Sequence, residues 1–199
     1  MSAPTIFYVR HGETEWNAEG RLQGVQNVPL NELGRRQSVS AGHILAGLFA
    51  RDGRSAESLT FVASPLGRAR QTMELVRGAL SLPLAGYAID DRLREIGYGV
   101  WEGSTLAQMQ TQDPDLFARR QAGKWTVSPP GGESYVAVQA RMSDWYGELT
   151  ADTVAVAHGG TARALMVALG LKTPESAADL TIEQGAVYVF GDGGLRKYS

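Results

Sequence analysis

Arg10-His11-Gly12-Glu13 closes the apolar run Thr5-Ile6-Phe7-Tyr8-Val9, and far downstream His158-Gly159-Gly160 closes a second run, Thr153-Val154-Ala155-Val156-Ala157. These are two of the three histidines in the chain. In an open α/β sheet, ligands bind beyond the carboxyl ends of the strands, so two histidines placed there can meet in one crevice. The chemistry this suits is phosphoryl transfer through a phosphohistidine. A phosphoryl group in flight needs a nucleophile, positive charge and N–H donors around its equatorial oxygens, and a proton donor for the leaving oxygen. His11 can attack through a neutral imidazole nitrogen, and Arg10 can hold oxygens in its planar fork of donors. Backbone N–H groups at Gly159-Gly160 can open a helix toward the anion. Arg68 follows Ser64-Pro65 in the first turn of a predicted helix, where a cation opposes the helix dipole and a bound anion would relieve the conflict.

The elements that must position these residues follow from periodicity. The first strand, near residues 6–9, is apolar throughout and is expected in the interior of a sheet covered on both faces. A loop runs from Gly12 to Pro29, and Asn31 caps a helix carrying Leu33, Gln37, Ala41, Ile44, Leu45 and Leu48 on one face. A second short strand, Phe61-Val62-Ala63, precedes a helix with Ala69, Thr72, Met73, Val76, Ala79 and Leu80 on its inner side. Residues 97–132 are irregular, with one short helix near 113–120, and read as a lid. Val138, Met142, Trp145 and Leu149 share a further helix face, followed by the strand ending at His158 and a mostly apolar helix over 161–169. Thr173-Pro174 opens a last short helix. Residues 186–190 and 195–198 pair as a hairpin across the turn Gly191-Asp192-Gly193-Gly194. Strands alternating with helices predict a three-layer α/β/α sandwich with a mostly parallel sheet, as a single domain over 1–199.

The motifs resemble those of the histidine phosphatase superfamily, also called the phosphoglycerate mutase-like family, in the family's order. They are Arg10-His11-Gly12-Glu13-Thr14 with Trp16-Asn17, Arg21-Leu22-Gln23-Gly24, Pro29-Leu30, Leu33-Gly34, Ser64-Pro65-Leu66-Gly67-Arg68-Ala69-Arg70-Gln71-Thr72, and Leu93-Arg94-Glu95. Gly99-Val100-Trp101-Glu102-Gly103, Pro130-Gly131-Gly132-Glu133-Ser134 and Ala157-His158-Gly159 complete the set. The resemblance implies that His11 becomes phosphorylated while Arg10, Arg68 and His158 bind the phosphoryl group, with Gly159 beside them and the Asn17 amide contributing. It implies that Glu95, which local sequence alone would make an exposed loop carboxylate, protonates the leaving oxygen and then activates water. Thr14, Gln23 and Gly24 are implied as further phosphate or substrate contacts, against an equal expectation that they are structural. Arg70, His43 and Glu133 read as surface or helix-start residues, and Trp16, Trp101 and Trp125 as packing.

Composition narrows the classes. A formal charge of -2 gives no general attraction to nucleic acid or to an anionic membrane. The absence of cysteine removes disulfides and thiolate chemistry and fits a reducing cytoplasm. No run of about 18 apolar residues offers a membrane span, and no signal-type segment precedes the first strand. A two-histidine, one-carboxylate metal site is opposed by Arg10 and Arg68, so neither metal nor cofactor is expected. The expected activity is a metal-independent phosphomonoesterase acting on a small phosphorylated substrate. The alternatives are a cofactor-dependent phosphoglycerate mutase and a non-catalytic binding module. The segment between Glu133 and His158 is shorter than in mutases of the family, and His158 is followed by Gly-Gly-Thr, as in its phosphatases. Arg119, Arg120 and Lys124 keep the mutase reading alive, against an exposed basic helix face. The C-terminal hairpin gives two copies an edge through which to pair as a homodimer, unless its own charges cap it.

Overall fold

The computed structural model describes residues 3–191 and 194–199. Its elements run β1 (Ile6–Arg10), α1 (Glu15–Ala18), α2 (Glu32–Arg51), β2 (Thr60–Ala63), α3 (Gly67–Ala79), β3 (Ala88–Ile89), α4 (Leu106–Gln112), α5 (Pro114–Ala122), α6 (Tyr135–Gly147), β4 (Thr153–Ala157), α7 (Gly159–Ala168), α8 (Pro174–Ala178), β5 (Val187–Gly191) and β6 (Gly194–Tyr198). The six strands form one sheet in the order β3-β2-β4-β1-β5-β6. β3, β2, β4 and β1 are mutually parallel, and β5 runs antiparallel to both β1 and β6.

Alternation along β1 sends its side chains into two separate cores, as a strand covered on both faces requires. Phe7 and Val9 pack with Ala41, Leu45, Met73 and Val76 of α2 and α3. Ile6 and Tyr8 pack with Val138, Met142, Trp145 and Leu165 of α6 and α7. The three-layer sandwich is therefore as expected, with β1 interior. Asn31 caps α2 as predicted, its Oδ1 accepting the Gly34 N–H at 2.8 Å. Among the described residues, no helix is long and apolar enough to cross a membrane.

Four local expectations need correction. The segment after His11 holds a short helix, α1, closed by a capping box between Thr14 and Asn17. Two helices, α4 and α5, fold within residues 97–132 where one was expected: Thr105 and Gln108 make a capping box for the first, and Asp113 caps the second ahead of Pro114. Leu33 is 41% exposed and lies off the buried stripe of α2, because it falls in the first turn, before the helix meets the sheet. The two-residue strand β3 was not foreseen. Of the C-terminal turn, Asp192 and Gly193 lie outside the described residues.

The loop after β1 is pressed against the start of α2. A Cβ on Gly12 would lie 2.1 Å from Gly34 O, and one on Gly34 the same distance from Glu13 O. Only glycine at both positions permits this contact. It is pinned by the Gly12 N–H to Thr72 Oγ1, 3.1 Å, and the Asn31 N–H to Glu13 O, 2.9 Å.

Candidate active site

Register brings the site together. Arg10 on β1 pairs with Ala157 on β4, and Ala63 on β2 pairs with Val156, so the three parallel strands end side by side. The residues one step beyond, His11, His158 and Ser64, become neighbours. His11 and His158 have ring centroids 5.1 Å apart, and His158 Nε2 lies 2.7 Å from Ser64 Oγ.

The two imidazoles are fixed by hydrogen bonds, His11 at both ring nitrogens and His158 at Nε2. His11 Nδ1 lies 2.7 Å from Gly12 O; a carbonyl only accepts, so Nδ1 carries the hydrogen and Nε2 keeps its lone pair. Arg68 Nε–H donates to that Nε2 at 3.2 Å. The rest of the Arg68 fork is fixed by Gln26 O at 2.7 Å and Gly24 O at 2.8 Å, and each terminal nitrogen retains a second hydrogen. Arg10 NH1 donates to Ile182 O at 2.6 Å. Four buried side-chain polar atoms lack a hydrogen-bond partner among the described residues, and three of them, Arg10 Nε, Gln23 Oε1 and His158 Nδ1, belong to this cluster. Buried polar atoms are rarely left unpaired, so this cluster has polar groups free for a ligand to pair with.

Burial, then the Arg68 and Arg10 charges, hold the His11 imidazole well below its ordinary value. His158 is lowered by burial first, then by Arg68, His11 and Arg10. Burial lowers Arg68 to about 10, which leaves it cationic at neutral pH. The site thus presents neutral imidazoles inside a cationic frame. Below about pH 6.5 the unfolded chain takes up protons at these two positions while the folded chain does not, so stability falls on acidification. The slope is about 1.4 kcal/mol per pH unit for each histidine. Urea denaturation at pH 7.5 and 5.5 is expected to show this loss, reduced in His11→Ala; equal losses in the two proteins would remove His11 from the account.

Glu95 reaches across from the segment after β3. Its Oε1 accepts the Ile96 N–H at 2.9 Å and the Gly160 N–H at 3.0 Å. It therefore occupies the N-terminal end of α7. A Cβ on Gly160 would lie 2.3 Å from that oxygen, so glycine is what admits Glu95. This corrects the expectation that the Gly160 N–H is open to an anion: Glu95 holds it.

A cleft of about 180 Å³ joins these groups, lined among others by Arg10, His11, Asn17, Gln23, Gly24, Arg68, Glu95 and Gly159. His158 lies beneath it at 0% exposure. Asn17 Oδ1 accepts from Gln184 Nε2 at 2.9 Å, so its amide hydrogens are what it can offer the cleft. Thr14 is not brought in: fully buried, it caps α1, and Thr14 Oγ1 accepts the Asn17 N–H. Glu133 does not start a helix; it accepts the Gly97 N–H and pairs with Arg141, while Ser134 caps α6. Trp101 and Trp125 are buried packing residues, the latter stacked on Tyr135. His43 and Arg70 are exposed, as expected.

The cleft is also lined by Arg21 and Leu22, which a motif contains without a role being assigned to them, and by Tyr98 and Arg163, which lie outside the motifs. Arg163 had a signal: it is the lone charged residue of α7. Its Nε donates to Leu180 O at 2.8 Å and its NH1 to Tyr135 Oη at 3.1 Å. Ser64 carries no role in the motif that contains it, and its contact with His158 depends on strand register.

A family model for the histidine phosphatase superfamily, branch 1, matches residues 6–194. The chain belongs to the histidine phosphatase superfamily. Glucosyl-3-phosphoglycerate phosphatase of Mycobacterium tuberculosis H37Rv is 36% identical to this superfamily member over 188 residues, covering 87% of this chain and 78% of the relative. The 2,3-bisphosphoglycerate-dependent phosphoglycerate mutase of Beijerinckia indica is 28% identical over 197 residues, 93% of this chain and 90% of the mutase. A solved structure of mycobacterial glucosyl-3-phosphoglycerate phosphatase with VO3 is similar at a TM-score of 0.80 and 31% identity, covering 98% of each chain.

Proposed function

We propose that this protein is a phosphomonoesterase that works through a phosphohistidine at His11 on a small phosphorylated metabolite. A chain without cysteine suits a reducing cytoplasm as its compartment. The observation that carries the reading is the unprotonated His11 Nε2 facing a cleft framed by Arg10, Arg68 and Glu95. In the first step His11 Nε2 attacks phosphorus, the bond to the leaving oxygen breaks, and protonated Glu95 supplies that oxygen's proton. In the second, the water oxygen attacks phosphorus as the phosphorus–nitrogen bond breaks, Glu95 takes the water's proton, and phosphate leaves with the His11 Nε2 lone pair restored. Arg10, Arg68 and His158 Nδ1 hold the equatorial oxygens, and the two guanidiniums offset their charge. The same cations oppose a divalent metal, so the chemistry proceeds without one.

Ser64 gives its hydroxyl hydrogen to His158 Nε2, which leaves the proton on Nδ1 as the donor to phosphate. Residues 97–132 form the lid of a single catalytic domain. Of the three basic residues that would serve a mutase, two are engaged within the protein, Arg120 with Val127 O and the Tyr98 ring and Lys124 with Asp179, while Arg119 stays exposed on α5. Arg120 is buried, not part of an exposed basic face. Similarity to glucosyl-3-phosphoglycerate phosphatase supports the phosphatase over the mutase.

Phosphate release from a panel of phosphomonoesters in EDTA, with 3-phosphoglycerate isomerisation followed in parallel, tests the reading. Release that survives the chelator, is lost in His11→Ala and is inhibited by vanadate is expected, since vanadate adopts the geometry of the transition state. Isomerisation without net release would establish the mutase, and silence in both assays the binding module.

A further inference from the structure

Beside the phosphoryl cleft lies a second chamber of about 250 Å³, and the two share Leu22, Tyr98 and Arg163. Its far wall comes from α4 and α5, through Leu106, Met109 and Phe117. The cations around it already have partners within the protein: Arg163 bonds Leu180 O and Tyr135 Oη, Arg120 bonds Val127 O, and Lys124 pairs with Asp179. Between them the chamber presents an apolar face of Leu22, Leu106, Met109 and Phe117, flanked by Gln121 and Asp179. Leu106 is 54% exposed there, a large apolar side chain at the end of a helix whose Met109 is buried. Glu95 lines the cleft together with the shared residues Tyr98 and Arg163, which places it on the side of the cleft nearest the chamber. With phosphorus at His11 and the leaving oxygen at Glu95, the remainder of the substrate has this chamber to enter.

We propose that the chamber is the leaving-group subsite and that it selects phosphomonoesters of alcohols bearing an apolar ring, gripped between Leu106, Met109 and Phe117. The assignment rests on the phosphatase reading for its orientation, but the chamber can be tested without turnover. Ring burial against these side chains supplies affinity that a short alkyl group lacks. The probes are 2-phenylethylphosphonate and ethylphosphonate, non-hydrolysable analogues of benzyl and methyl phosphate that differ only in the ring. Calorimetry on the full chain is expected to give at least about tenfold tighter binding of the ring compound. Leu106→Ala, an exposed position that the fold tolerates, and Phe117→Ala should each cut that preference by about threefold or more while leaving ethylphosphonate affinity unchanged. Equal affinities in the wild type, or variants that weaken both probes alike, would overturn the assignment. A ring preference in a protein that hydrolyses nothing would uphold the chamber and sink the phosphatase reading; hydrolysis without a ring preference would do the reverse.

Discussion

His11→Ala is expected to lower kcat by roughly 10⁴- to 10⁶-fold on every phosphomonoester, as loss of a covalent nucleophile does. The size follows from geometry. Gly12 O fixes the hydrogen on Nδ1, so one nitrogen alone faces the cleft, and alanine leaves nothing there to form the intermediate. Arg10, Arg68 and His158 persist, so affinity for inorganic phosphate should stay within about tenfold of wild type. Steady-state kinetics beside phosphate-binding calorimetry checks both halves. A variant that retains a tenth of wild-type turnover would show that water attacks directly and that His11 only binds.

Glu95→Gln is expected to produce a leaving-group-dependent loss. Glutamine keeps an oxygen for the Ile96 and Gly160 N–H groups, so the fold around α7 is retained and only the proton is removed. Departure of an alkoxide needs that proton, and kcat/KM for alkyl phosphates should fall by about 10²- to 10⁴-fold. A nitrophenolate leaves readily without it, so the first turnover on p-nitrophenyl phosphate should stay fast. The second step still needs a base to activate water, so steady state should slow and a burst of nitrophenol should precede it. Equal losses on alkyl and aryl substrates with no burst would remove Glu95 from both proton transfers.

The fold was legible where periodicity and capping agree. The all-apolar run ending at Val9, the Asn31 cap and the stripe through Ala41, Leu45 and Leu48 each have one structural solution, and the strands follow from β-branched runs before Ser64 and His158. What escaped depends on partners distant in sequence. β3 is two exposed residues with no pattern of their own, and α1 and α4 are single short units whose capping boxes sit in polar, glycine-rich sequence. Leu33 has the spacing of the stripe but lies at the helix start, beyond the reach of the sheet.

The same division holds in the site. Arg10, His11 and His158 were legible as residues beside strand ends and Arg68 as a cation in a helix's first turn, whereas Glu95 was legible only through the resemblance to the family; the structure places all of them around one cleft. That Glu95 rather than a ligand takes the Gly160 N–H was not, since only the tertiary packing brings the two within 3.0 Å. Thr14 shows the converse: a motif residue whose hydroxyl is consumed in capping a four-residue helix. Arg163 and the chamber walls from α4 and α5 lay outside the motifs, as expected where specificity is set by segments that carry no chemistry of their own.

The central claim is a covalent bond between His11 Nε2 and phosphorus, and trapping that bond tests it most directly. Enzyme quenched in alkali during turnover of p-nitrophenyl phosphate, then digested and analysed by mass spectrometry, should carry one phosphoryl group on the peptide containing His11. The label should be lost on brief acid treatment, as a phosphorus–nitrogen bond requires. It should accumulate further in Glu95→Gln, where hydrolysis of the intermediate is slowed. Rapid phosphate release with no label on His11 at any quench time, in either protein, would contradict the account.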